Sequence, residues 1–412
     1  MSSARTPARV LFATAALLSL AAVMPAASFA PQQIVDEENE PIDLLFGSLL
    51  RTDSTVQVGE NQLNRFTMHR LRRPMLPHRG VILLLPSLGN SFEMYTCHES
   101  GDIRLSFAAC FATLGYDVWG YSPRSTNIAA GACAGGLDCS AALGWSLQTI
   151  VDDVGFIRAQ IEAAAPGEDP VIGGLSLGAV SALAVVDQHP DDYAGLLAWE
   201  GSLVTDDPAT QAHNLIFYQQ FDAMLSVGMA IEDQSLPFVK LIAQLAQTAP
   251  DDPFALPVPG FPPGLTNHQA FVVVMTLPNP LAPSPRPGFT TATGDFTIDQ
   301  LFFSSDARLF ANLSVFNDVT SNGVARDLYG SLAGVITSYS DNLASFTGPT
   351  LIIKAGQGFG SIMDELPGKL GSTDVVTLSM EDFGHVDHFG SPYHWLLVEL
   401  PIANWLRTRV FD

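Results

Sequence analysis

Positively charged residues are scarce in this chain of 412 residues. Lysine and arginine together number 19 against 42 aspartates and glutamates, which gives a formal net charge of −23 at pH 7. Proteins that bind nucleic acids hold phosphates with clustered Lys and Arg side chains, and anionic membrane surfaces attract the same side chains. The composition therefore argues against nucleic acid as a partner and disfavours binding to an anionic membrane surface.

Charged residues of either sign are also few. They make up 15% of the chain, whereas hydrophobic residues make up 47%. This balance excludes a globally disordered chain, because the apolar residues suffice for a sizeable core. The length suits one large domain with an insertion, or two domains.

Long apolar runs are rare as well, and the one that stands out lies near the N-terminus. Residues 10–23 are apolar, Arg5 and Arg9 precede them, and small residues at 26–30 offer cleavage positions. This order is typical of a secretory signal, and the run is shorter than the ~20 residues that cross a bilayer. We expect residues 1–28 to be a signal peptide, the protein to be secreted or periplasmic, and no stable membrane anchor.

Cysteines are few, and their spacing does not fit a zinc site. The four cysteines are Cys97, Cys110, Cys133 and Cys139, whereas zinc sites typically use pairs separated by two to four residues. An even number in an exported chain favours disulfides, and four cysteines allow three pairings. Two disulfides are therefore a hypothesis with the pairing left open, in which Cys133–Cys139 would close a Gly/Ala-rich loop and Cys97–Cys110 would join a loop to the following helix.

Cofactor motifs are also missing. The sequence contains no Gly-rich phosphate loop, no dinucleotide-binding fingerprint and no cluster of metal-ligand residues. We therefore expect neither a cofactor nor a metal.

Apolar strand patterns alternate with helical patterns along most of the chain. Acidic residues 31–44 are interpreted as a loose lead-in, and residues 54–58 and 64–71 as an antiparallel edge. Further strands are predicted at 81–86, 116–120, 170–175, 195–199, 349–353 and 375–378. Strands that alternate with helices indicate an α/β fold, with a mostly parallel sheet covered by helices on both faces.

The alternation of strand and helix patterns stops between the sixth and seventh predicted strands. Residues 203–348 carry helical patterns and many prolines, yet apolar side chains recur throughout. We interpret them as a large, mainly helical insertion in a core built from residues 29–202 and 349–412.

The strongest chemical signal is Gly174-Leu-Ser-Leu-Gly178, a G-x-S-x-G pattern between a strand and a helix. The glycines permit a sharp turn that exposes the oxygen of Ser176, and the helix N-terminus favours nearby negative charge. A serine nucleophile needs a base. His385, in Gly384-His-Val-Asp387 after the last strand, is the candidate, with His388 and His394 as rivals.

These motifs resemble those of the α/β-hydrolase superfamily, and of its capped esterases and lipases in particular. The resemblance covers roughly residues 50–202 and 349–410, and it implies that residues 203–348 form a cap after the sixth strand. It also implies Ser176 as nucleophile, His385 as base, and an oxyanion hole made by the N–H groups of Leu177 and Leu88. Many relatives carry His-Gly-x-x-Gly at the second of these positions, whereas this chain has Pro86-Ser-Leu-Gly-Asn90.

The acid of the resulting triad has two candidates. Many relatives carry an aspartate shortly after the seventh strand, where this chain has Gly358, Phe359 and Gly360, and Asp364 comes late. Some relatives place the acid after the sixth strand, where Glu200 lies. A carboxylate at the end of a buried strand needs a partner, and a histidine ring supplies one. We favour Glu200 and keep Asp364 as the alternative.

The resemblance implies hydrolysis of a small, moderately apolar ester through an acyl-enzyme intermediate. A peptidase or amidase of the same fold and a non-catalytic binding protein remain alternatives, because fold does not dictate function. Apolar side chains of the insertion contact either the substrate or one another, with the second interpretation favoured for most of them. They are Phe217, Tyr218, Phe221, Phe271, Met275, Phe302 and Phe303.

Overall fold

Buried apolar strands form the centre of the molecule in a computed structural model, which describes residues 31–44, 47–256, 258, 261–276, 301 and 303–411. The predicted signal peptide lies outside the described residues. In chain order the strands are β1 (Gln32–Asp43), β2 (Ser48–Val58), β3 (Arg65–Arg72), β4 (Val81–Leu85), β5 (Asp117–Ser122), β6 (Val171–Leu175), β7 (Gly195–Trp199), β8 (Ile231–Glu232), β9 (Thr320–Ser321), β10 (Thr350–Ala355) and β11 (Val375–Met380).

Nine of these strands form one mixed sheet in the order β1-β2-β3-β5-β4-β6-β7-β10-β11. The six strands from β5 to β11 in this order pair in parallel. At the other edge, β2 is antiparallel to both β1 and β3, and β3 is antiparallel to β5. The predicted mostly parallel sheet and its antiparallel edge are therefore confirmed.

The interpretation of residues 31–44 as a loose lead-in is wrong. Strand β1 pairs with β2 from Gln32 opposite Val58 to Asp43 opposite Ser48. Its acidic side chains are exposed, so the polar composition marks an edge strand facing solvent, and charges on an edge discourage pairing with other chains. With this extra strand, the sixth predicted strand is β7 and the seventh is β10.

Helices cover both faces of the sheet. In chain order they are α1 (Glu93–Thr96), α2 (Phe107–Thr113), α3 (Leu147–Ala164), α4 (Leu177–Gln188), α5 (Pro208–Ser226), α6 (Ser235–Thr248), α7 (Asn267–Met275), α8 (Asp306–Ser314), α9 (Asn322–Leu332), α10 (Gly360–Met363), α11 (Asp387–Gly390) and α12 (Leu400–Trp405). None of the helices in the described ranges is long and apolar enough to cross a membrane.

Strand β4 shows how the two faces are filled. Leu83 and its alternate neighbours join a cluster with α3 and α4, whereas Ile82 and Leu84 join a cluster with α2 and α12. Because side chains alternate along a strand, an unbroken apolar run serves both faces. The helices on both faces agree with the predicted fold class.

The predicted insertion contains α5 to α9 and the small ribbon of β8 and β9. Helices α6, α7 and α8 enclose their own apolar cluster, which includes Ile242, Phe271 and Leu309. Helix α9 instead places Val324 and Leu328 in the cluster beneath α3 and α4. The described residues from 32 onward form one unit by their contacts, and the division into core and cap stays a prediction.

One of the two expected disulfides is present. Cys133 and Cys139 are bonded, whereas Cys97 and Cys110 are free thiols. The Cys97 thiol donates to the carbonyl of Met94 at 3.3 Å, and burial raises its pKa to about 11. Burial and the nearby Glu399 raise the pKa of Cys110. The Cys97–Cys110 prediction is therefore wrong, because the two thiols face different neighbours.

We expect thiol titration of unreduced, denatured protein to find two thiols, and four after reduction. The native protein should react more slowly than the denatured protein, because a raised pKa leaves little reactive thiolate at neutral pH. Finding no free thiol in the unreduced, denatured protein would contradict the observed pairing.

Candidate active site

Ser176 occupies a strained turn between β6 and α4. Its φ of +59° lies in the left-handed region that side chains other than glycine rarely adopt. A Cβ atom on Gly174 or Gly178 would lie 2.0 Å or 2.1 Å from the carbonyl oxygen of Leu85. The two glycines therefore let strand β4 approach the turn, and Ser176 remains partly exposed among buried neighbours.

His385 and Glu200 meet in the interior. His385 Nδ1 lies 3.0 Å from Glu200 Oε2, and the two residues are 3% and 0% exposed. The ring of Phe359 packs against the imidazole with centroids 4.4 Å apart. The structure thus brings together the histidine after β11 and the glutamate after β7.

Backbone amides hold the Glu200 carboxylate. Oε1 accepts the N–H of Ala355 at 2.5 Å, and Oε2 accepts the N–H of Phe359 at 2.9 Å. Glu200 itself has a φ of +51°, which costs conformational energy that the surrounding contacts must offset. Three nitrogen partners, including His385, compensate the removal of this carboxylate from water.

The structure leaves no room for an acidic side chain at position 358, shortly after β10. A Cβ atom at this position would lie 2.2 Å from Glu200 Oε2 and 3.0 Å from the Cα atom of His385. The Glu200 carboxylate therefore fills the space into which a side chain from residue 358 would grow.

The alternative acid and the rival histidines lie in other environments. Asp364 is exposed and forms an ion pair with Lys354. His388 is buried near Trp199, and burial lowers its pKa to about 4, which keeps its ring neutral. His394 Nε2 lies 2.6 Å from Glu399.

A mostly apolar cavity of about 280 Å³ opens beside the turn, and Ser176, His385 and Leu88 all line it. Its apolar walls come largely from the predicted insertion: α6 supplies Leu236 and Val239, α7 supplies Val274 and Met275, and α8 supplies Leu309 and Leu313. The cavity therefore places apolar surface next to the serine and the histidine.

Solved structures share this architecture. A candidate lipase from Sulfolobus solfataricus matches with a TM-score of 0.61 and 14% identity, over 90% of this chain and 99% of that one. A thermostable carboxyl esterase from Bacillus coagulans, solved with glycerol, matches with a TM-score of 0.51 and 12% identity, over 91% and 99%. The chain has the α/β-hydrolase fold. No protein-family model and no curated protein matches its sequence.

Within this α/β-hydrolase fold, Asp387 shapes the histidine loop, a role that the sequence analysis did not assign. The buried carboxylate accepts the N–H of Gly384 at 2.7 Å and the hydroxyl of Ser304 at 2.6 Å. It closes a turn around His385 and ties that turn to residue 304 of the predicted insertion. The Gly-His-x-Asp spacing was the available signal.

Two hydrogen bonds from Asn317 anchor the loop that carries Leu88. The backbone N–H of Asn317 donates to Gly89 O at 2.8 Å, and its side chain donates to Asn90 O at 2.9 Å. In the described residues, neither the Leu88 N–H nor the Leu177 N–H donates to a protein acceptor. The assignment of these two N–H groups to an oxyanion hole stays a prediction.

A buried relay supports the other end of this loop. The Phe92 N–H donates to Ser122 Oγ at 3.1 Å, and Ser122 Oγ lies 2.7 Å from His69 Nε2. His69 Nδ1 lies 2.8 Å from Asp53. The contacts Ser122–His69–Asp53 resemble a catalytic triad. However, Ser122 is buried and its hydroxyl oxygen accepts the Phe92 N–H, so we interpret this relay as structural.

The aromatic side chains proposed for the insertion divide between the two interpretations. Met275 lines the cavity, and Phe271 is buried in the cluster between α6, α7 and α8. Phe217 and Phe221 stack on Tyr329. Two more contact other residues, Tyr218 beside Gly330 and Phe303 against Phe383, and Phe302 lies outside the described residues.

We expect Gly358→Ala to lower the free energy of unfolding by about 1–3 kcal/mol, because the added methyl group overlaps Glu200 in a packed interior. Gly368→Ala is the matched control, since a Cβ atom there meets no atom within 4 Å. Urea unfolding measures both variants. Equal stability of the two would contradict the packing of residue 358 against the carboxylate.

Proposed function

We propose that the chain is an exported serine hydrolase that cleaves carboxylic esters through an acyl-enzyme intermediate. Ser176 is the nucleophile, His385 the base and Glu200 the acid. The observation that carries the proposal is the buried contact between His385 and Glu200 beside a cavity that Ser176 also lines. Residues 1–28 act as the signal peptide, and residues 203–348 as the cap.

The proposed chemistry follows from the arrangement of these groups. The hydroxyl of Ser176 attacks the ester carbonyl while His385 Nε2, the ring nitrogen that does not face Glu200, takes its proton. Glu200 accepts from Nδ1, which fixes the tautomer and stabilises the imidazolium. His385 then protonates the leaving alcohol, and water, activated by the same ring, releases the acid from Ser176.

Charge that develops on the carbonyl oxygen requires donors. The N–H groups of Leu88 and Leu177 are the proposed oxyanion hole, and the N-terminus of α4 adds a favourable dipole. Backbone amides in a rigid turn need no reorganisation during the reaction.

The cavity supports a moderately apolar, small-molecule substrate. Side chains of α6, α7 and α8 line it, and burial of apolar substrate atoms contributes about 25 cal/mol per Å². The two solved structures of the same fold described above are named a lipase and a carboxyl esterase, which agrees with ester cleavage.

A fluorophosphonate probe tests the nucleophile. We expect the wild type to be labelled and Ser176→Ala not to be. Ser181→Ala, which removes a buried hydroxyl from α4, should be labelled like the wild type. No labelling of the wild type would instead favour a non-catalytic binding protein, and turnover of peptide anilides but not esters would favour an amidase.

The triad acid is tested by two isosteric changes. We expect Glu200→Gln to lower kcat on p-nitrophenyl esters by up to about 10⁴-fold, because an amide can hold the histidine in the wrong tautomer. Asp364→Asn is the control and should change kcat less than about twofold, because its carboxylate faces solvent. A comparable loss in both variants, or none in either, would overturn the assignment of Glu200.

A further inference from the structure

Ser176 lies between two cavities of very different size. One is the cavity of about 280 Å³ already described, and the other is a pocket of about 10 Å³. Ser176, Leu328 and Phe359 line both. An ester bound at Ser176 would place one of its two halves in each space.

Buried apolar side chains form the walls of the small pocket. Val180, Leu332 and Ile362 line it and are 3%, 2% and 4% exposed. Its volume is close to the minimum that holds one water molecule, about 10–15 Å³. Because packed interiors accommodate added methylene groups poorly, this side accepts a group of about methyl size.

The larger cavity accepts much more. Its volume is about twice that of the ~150 Å³ cavity known to bind benzene. Leucine and valine side chains from α6 to α8 line it, so a flexible apolar chain of several carbons gains contacts there.

The position of His385 decides which half of the ester enters which space. His385 lines the large cavity and not the small pocket. The histidine must reach the oxygen of the leaving alcohol in order to protonate it. An alcohol half in the large cavity would meet this requirement, and the acyl half would then enter the small pocket.

We propose that the substrate is an ester of a very short acyl group, acetyl in size, with a longer apolar alcohol. This inference rests on the function proposed above. A bond forms between Ser176 Oγ and the acyl carbon, and the acyl–oxygen bond of the ester breaks. The alcohol leaves with the proton from His385, and water then releases the short carboxylic acid and regenerates the serine.

A pair of isomeric esters tests the inference on the wild-type enzyme. Octyl acetate and methyl nonanoate have the same formula and differ in which half carries the long chain. We expect kcat/KM to be at least about tenfold higher for octyl acetate, since one methylene group in a tight pocket already changes discrimination by about 10–200-fold. Equal rates, or a preference for methyl nonanoate, would overturn the inference.

Fluorophosphonate labelling separates failure of this inference from failure of the proposed function. A protein that is labelled at Ser176 but hydrolyses neither isomer retains the nucleophile and refutes the substrate class. A protein that is neither labelled nor active refutes both.

A pocket variant adds a second readout. We expect Leu332→Ala to raise the ratio of kcat/KM for octyl butyrate over octyl acetate by about tenfold, because it enlarges the acyl pocket. Leu343 is an equally buried leucine of the same apolar cluster and lines neither cavity. Leu343→Ala should therefore leave this ratio unchanged. If Leu332→Ala does not fold, Ile362→Val gives a milder enlargement. An unchanged ratio in a folded pocket variant would contradict the assignment of the small pocket to the acyl group.

Discussion

The rest of the site depends on the hydrogen bonds that hold the buried carboxylate of Glu200. Removing a carboxylate from water costs several kcal/mol unless hydrogen bonds replace the lost solvation. Here the donors come from the end of β10, from the loop that follows it and from His385 after β11. Three neighbouring strands must therefore end in the correct relative positions before the charge is satisfied. Glu200 also has a left-handed backbone, with a φ of +51°.

Buried polar contacts also hold the two loops beside Ser176. The histidine loop is closed by Asp387, and the Leu88 loop is held by Asn317 and by the relay through Ser122. Each of these contacts uses a buried polar group that would be costly if left unpaired. Asp387 accepts from Ser304 of the predicted insertion, and Asn317 itself belongs to that insertion. The predicted insertion therefore helps to position the histidine loop and the Leu88 loop.

The sequence predicted the features that depend on local patterns. The strand–turn–helix around Ser176 and the parallel strands follow from neighbouring residues, and they agree with the structure. Features that depend on distant pairing were less accessible. Strand β1 is acidic and solvent-facing, and only its pairing with β2 defines it. Cys97 and Cys110 are close in sequence yet face different neighbours. The contact between Glu200 and His385 spans 185 positions, and its prediction came from the family resemblance rather than from a local pattern.

Gly358 carries a consequence for how such sites diverge. Its missing side chain leaves the volume that the Glu200 carboxylate fills, so acids at positions 200 and 358 exclude each other in this backbone. If Glu200 is the proposed triad acid, a variant that moves the acid to position 358 must lose the Glu200 carboxylate first, or shift the backbone to make room for both carboxylates.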